Sequence, residues 1–271
     1  MRIFKGEKFM VVPDFIDLSF QQVADKNTPT IISNPYDPWY YEGKRIYTKM
    51  FSIEELIGEI ICQEMNIPSV HFEFLKTKEN SIVLASRDFY KDGYYYKYPL
   101  DMVDDAFDFD DEDTELVEDE LMVDYLDFFK NQCISKENEE VLLKQIFKMF
   151  SIDTYMRQQD RVNCNVQLEI NSKTNWIELA PLYDLEYSFR KSSSDFIYRN
   201  PFYGMELENY KFLLTQYPEF KIQLENIRKL NMNLLLQKVE SFFQINLPKY
   251  AYDYFYEEEE TSQKLLHKIL D

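Results

Sequence analysis

Gln159-Asp160-Arg161-Val162-Asn163-Cys164-Asn165 is the stretch that decides the fold, with Leu182-Tyr183-Asp184 closing it downstream. Val166, Leu168 and Ile170 follow it, with Gln167 and Glu169 between them. That two-residue period predicts a half-buried strand. Residues 171–175, Asn-Ser-Lys-Thr-Asn, predict a turn. A second apolar run from Trp176 to Leu182 ends at Asp184. A β-hairpin brings its two ends together. The pattern therefore predicts Asn165 and Asp184 side by side, with Asp160 on the loop above them.

Phosphoryl transfer from ATP needs such a trio. One carboxylate accepts the hydroxyl proton, while an amide oxygen and a second carboxylate hold Mg²⁺ against the phosphates. Magnesium prefers hard oxygen ligands and takes one or two carboxylates from a protein. The same residues also suit an ordinary surface hairpin, since Asp and Asn dominate turns.

Asp160-x4-Asn165 and Leu179-Ala180-Pro181-Leu182-Tyr183-Asp184-Leu185 together resemble the core of HipA-like serine/threonine kinases. The CtkA-type kinases fall in the same group. The resemblance implies ATP and Mg²⁺ as cofactors, Asp160 as catalytic base, and Asn165 and Asp184 as metal ligands. Val162 and Cys164 stand where that family often has His and Lys. This departure bears on substrate contacts and rate more than on metal binding. Asp160-Arg161 is also similar to the loop of lipid kinases.

The 271 residues suffice for one large domain or two lobes, and 45% hydrophobic content is that of a globular chain. The formal charge of −19 repels nucleic acid and anionic membrane, and favours basic protein partners or substrate segments. It also argues against the lipid-kinase reading. Cys62, Cys133 and Cys164 form neither a CxxC site nor an even disulfide framework. His71 and His267 are too few for a His-based metal site, and His71 reads as structural. With no signal-peptide core and no apolar run of membrane length, the expected location is the cytoplasm.

Tyr40, Tyr41 and residues 45–51 read as strands, where a hairpin over a nucleotide is expected. Only Gly43 is available there, so a glycine-rich loop is excluded. Lys49, near the end of the strand, is the candidate for binding the ATP phosphates, with Lys44 and Arg45 as rivals. Residues 52–65 predict a helix with Ser52 and Glu55 as a capping box. Ile53, Leu56, Ile57, Ile60, Ile61 and Met65 form its apolar face. The resemblance implies a glutamate here that pairs with the strand lysine, matched to Glu55, which is equally placed to cap its own helix. Residues 69–75 and 82–86 predict a second hairpin. A hinge for adenine is expected at Ser86 and Arg87.

Residues 101–120 carry a dense acidic run without the spacing of a calcium loop, and read as a solvated insertion. Residues 115–159 read as helices leading into Asp160. Arg157 and Arg161 flank that loop as candidates to neutralise a phosphate or an acidic segment. Ser192, Ser193 and Ser194 lie where an activation segment is expected, and also suit plain loop. Residues 206–246 read as helical, and 257–270 as a final amphipathic helix.

Strands come first and helices later, which predicts an α+β class. The expected architecture is a bilobal protein-kinase-like fold, with a strand-rich N-lobe at 1–90 and a mainly helical C-lobe at 91–271. The resemblance implies a protein kinase, and allows a toxin role held by an antitoxin or other regulator protein. The alternative is a nucleotide-binding pseudokinase acting as a protein-interaction module.

Overall fold

A computed structural model describes residues 39–41, 44–76, 82–97, 126–127, 129–158, 161, 165–186, 188–189 and 207–271. Asp160, the acidic run at 101–120 and Ser192 to Ser194 lie outside the described residues.

Four strands build the first sheet: β1 (Trp39–Tyr41), β2 (Lys44–Met50), β3 (Phe72–Lys76) and β4 (Ile82–Arg87), in the order β1-β2-β4-β3. All its pairings are antiparallel. Both expected hairpins, β1–β2 and β3–β4, are present. Phe74 of β3 faces Leu84 of β4, and Leu84 faces Lys49 of β2.

Helix α1 (Ile53–Glu64) follows β2 directly. The Ser52 hydroxyl accepts from the Glu55 amide and donates to Glu54. The expected apolar face is buried, but so are Glu55, Gly58 and Glu59. Glu59 is satisfied by His71 Nδ1 at 2.7 Å and the Phe72 amide at 3.0 Å, which gives His71 a structural partner.

A second sheet has the order β5-β6-β7, with β5 (Tyr94–Lys97), β6 (Leu168–Asn171) and β7 (Ile177–Leu179). The β6–β7 hairpin matches the sequence pattern, in register Leu168 to Leu179 and Ile170 to Ile177. Its turn is held by Asn171 Oδ1, which accepts from the amides of Lys173 and Thr174. Strand β5 was not expected. It covers β6, and Glu169 is buried against Lys91 at 2.7 Å rather than facing solvent.

Helix α2 (Lys136–Met156) is capped by Ser135 and packs against β7. The expected helical stretch at 206–246 is three helices: α3 (Leu207–Gln216), α4 (Pro218–Ile227) and α5 (Met232–Phe243). Pro218 starts α4 at a position where its missing N–H is tolerated, and Asn231 caps α5. Helix α6 (Lys249–Leu270) starts eight residues before the predicted 257, immediately after Pro248. Helix α2 packs on α4 and α6, and α1 on α5. One apolar core runs from α1 and the first sheet through to α6. The class is α+β, a small antiparallel sheet joined to a mostly helical remainder. No helix among the described residues is long and apolar enough to cross a membrane.

Candidate functional site

The site forms where β2, α1 and the end of the β6–β7 hairpin meet. Lys49 Nζ is paired with Glu55 Oε1, lies 2.8 Å from Asp184 Oδ1 and 3.4 Å from Glu186 Oε2. Its side chain is 21% exposed, whereas Glu55 is wholly buried. Burial alone would lower the lysine, but the carboxylates of Glu55, Asp184 and Glu186 outweigh it and hold the ammonium above the ordinary lysine range. Burial pushes Glu55 above the usual carboxylate range, opposed by the Lys49 ammonium. Of the two roles open to Glu55, its side chain takes the pairing one, and Ser52 caps the helix without it.

The hairpin end that carries Asp184 is fixed on both sides. Leu182 pairs with the segment after α1, donating to Pro68 O and accepting from Val70 N, each at 2.9 Å. Asp184 itself sits at φ +59°, the left-handed region that costs a non-glycine residue energy unless its surroundings enforce it. Three hydrogen bonds to the two peptide groups flanking Asp184 supply that enforcement. The Tyr183 carbonyl accepts from Arg161 at 3.1 Å, and the Asp184 carbonyl accepts from Gln158 at 2.8 Å. The Leu185 amide donates to Glu55 Oε1 at 2.9 Å. Glu55 thus touches both the strand lysine and the backbone beside Asp184.

Asn165 is 5% exposed, and its carbonyl accepts from Arg161 at 2.9 Å. Its backbone and that of Tyr183 therefore share one guanidinium, as a hairpin bringing Asn165 and Asp184 together requires. Asp160 lies between the described residues Gln158 and Arg161. Ser86 and Arg87 are both inside β4. Ser86 pairs with Tyr47 and Phe72 in the middle of the sheet, and Arg87 extends an exposed side chain toward Glu73 at 3.7 Å. Residues 88–93 make the connection between the sheets. Phe89 of that connection stacks on Tyr183, with ring centroids 5.8 Å apart.

Two expectations change. Arg157 pairs with Glu258 of α6 and Arg161 pairs with Asp153 of α2, all four buried. Each arginine is instead neutralised by a carboxylate inside the protein. Glu186 was not singled out from sequence. Glu55, Asp184 and Glu186 each bring a carboxylate oxygen within 4.8 Å of the others. The signal available was its spacing, two residues past Asp184, but spacing alone does not reveal the left-handed bend at Asp184.

The chain superposes on the proinflammatory kinase CtkA of Helicobacter pylori with a TM-score of 0.58 at 19% identity, over 86% of this chain and 91% of that one. It superposes on HipA of a Shewanella oneidensis MR-1 toxin antitoxin system, solved with HipB and operator DNA, with a TM-score of 0.56 at 10% identity. That match covers 85% of this chain and 62% of the HipA chain, so this chain spans less than two thirds of its length. No family model matches the chain, and no curated protein matches it by sequence. At these identities the likeness establishes the fold, and it is the one shared by CtkA and HipA.

Proposed function

We propose that this chain is an ATP- and Mg²⁺-dependent serine/threonine protein kinase of the HipA-like type. The observation that carries the reading is Lys49 held between Glu55, Asp184 and Glu186. A lysine fixed by a helix glutamate and an acid at a hairpin end is the arrangement that orients ATP phosphates beside a metal ligand.

The donor set fits a hard divalent cation. One ammonium against three carboxylates leaves a formal surplus of two negative charges. Glu55 Oε2 is buried and has no hydrogen-bond partner among the described residues. Asp184 and Asn165 would hold Mg²⁺, with Glu186 offering a further oxygen. When bound, the ion neutralises charge on the phosphates. Lys49 orients the nucleotide. Asp160 accepts the proton of a serine or threonine hydroxyl as its oxygen bonds to the γ-phosphorus and the bond to ADP breaks. Positioning and fixed charge supply most of the rate.

The division into an N-lobe at 1–90 and a C-lobe at 91–271 belongs to this reading, as does adenine held near Ser86, Arg87 and the following connection. The strong acidity supports a basic protein substrate. Control by a regulator protein rests on the likeness to HipA, which is solved with HipB.

Calorimetric titration with ATP tests the reading. Binding that strengthens with Mg²⁺ and weakens at least ~10-fold in Lys49→Met is expected, about 1.4 kcal/mol or more. Absence of any nucleotide binding would overturn it.

A further inference from the structure

We infer that Arg161 is the positioning residue that sets Asn165 and Asp184 at the separation needed to share one cation. This deepens the kinase reading and rests on it.

The Arg161 guanidinium and the Asp153 carboxylate are both fully buried. Nε and Nη2 bind Asp153 at 3.0 and 2.8 Å, which anchors the guanidinium plane to α2. Nη1 is left pointing the other way. It donates to the Asn165 carbonyl at 2.9 Å and to the Tyr183 carbonyl at 3.1 Å. The first carbonyl belongs to one ligand candidate, and the second directly precedes the other. A single nitrogen therefore spans the two ends of the β6–β7 hairpin at the point where the site is built.

Only a planar fork makes all four bonds at once. A lysine ammonium in the same place is a point charge on a flexible stem and does not hold two carbonyls and a carboxylate in one plane. Arg161 reaches no solvent, so it acts through the groups it holds. Partners one layer behind metal ligands typically change metal affinity by about 10–100-fold when removed.

The experiment measures Mn²⁺ affinity by electron paramagnetic resonance in the presence of ADP, with the folded fraction followed by circular dichroism. Wild type, Arg161→Lys, Asp153→Asn and Asp184→Asn are compared. Arg161→Lys is expected to weaken Mn²⁺ binding about 10–100-fold, while ADP affinity in EDTA, which runs through Lys49, stays unchanged. Asp153→Asn, which loosens the anchor but keeps the fork, is expected to shift Mn²⁺ affinity in the same direction by a smaller factor. It also serves if the lysine variant does not fold. A folded variant of either kind with wild-type Mn²⁺ affinity overturns the inference. If Asp184→Asn is equally without effect, the cation reading of the site falls with it. If Asp184→Asn weakens binding and the other two do not, only the role given to Arg161 fails.

Discussion

Lys49 Nζ stands 2.8 Å from Asp184 Oδ1, across 135 positions of the chain. That ammonium is the positive charge joining β2 to three carboxylates from α1 and the hairpin end. Lys49→Met leaves those carboxylates uncompensated. Glu55, already pushed upward by burial, then gains a further drive to bind a proton. A group whose folded pKa is raised favours the folded state as pH falls toward its unfolded value. The variant is therefore expected to gain stability relative to wild type as pH falls from neutrality toward the ordinary carboxylate range. Urea unfolding at several pH values measures this, and parallel curves for the two proteins would contradict it.

Capping and pairing are separable on α1. Ser52 Oγ caps the helix, while the Glu55 side chain turns to Lys49 and the Leu185 amide. Ser52→Ala is expected to cost about 1 kcal/mol of stability and to leave nucleotide affinity unchanged. Glu55→Ala is expected to weaken nucleotide binding at least ~10-fold, about 1.4 kcal/mol. Titration of both variants with ATP checks the split. Equal nucleotide affinities in the two variants would contradict it.

How far the site could be read from sequence follows from how local its signals are. Asn171 Oδ1 closes the hairpin turn with two adjacent amides, so a short pattern of turn residues between apolar runs predicted β6 and β7. Ser52 and the apolar spacing of α1 are equally local. Strand β5 was invisible because its partner β6 lies more than seventy residues away. Arg161 was expected to neutralise a phosphate or an acidic segment, although its true partner lies only eight residues away. Its partner Asp153 is on α2, and nothing in the sequence says that the pair is buried together. Glu186 joined the cluster only through the backbone bend at Asp184. Pro218 opens α4 inside the stretch 206–246, where helical spacing alone marks no boundary.

Gly58 is required by close approach rather than by backbone freedom. A Cβ at this position would collide with Leu185 Cδ1 and meet Leu185 Cβ at 3.0 Å. Leu185 lies between Asp184 and Glu186, and its amide is held by Glu55. Gly58→Ala is expected to destabilise the fold by about 1–3 kcal/mol through overpacking. It is also expected to weaken nucleotide binding through displacement of Asp184. Thermal unfolding and ATP titration together check this, and wild-type values for both would contradict the close packing.

Cys62, wholly buried on α1, has its thiol pushed up to about 12 by burial. Alkylation requires the thiolate. At about pH 8, iodoacetamide is expected to leave Cys62 unmodified in the native protein and to label it after denaturation. Peptide mapping reads the outcome. Rapid native labelling at Cys62 would mean that α1 does not stay packed over the site.

The central claim is tested most directly by transfer of the γ-phosphate of ATP. Wild type and Asp184→Asn are incubated with labelled ATP, with and without Mg²⁺, alone and with a basic protein acceptor. The account predicts label on serine or threonine in the wild type only when Mg²⁺ is present, and none in Asp184→Asn. Label that persists in Asp184→Asn, or a wild type that neither transfers phosphate nor binds ATP, would contradict it.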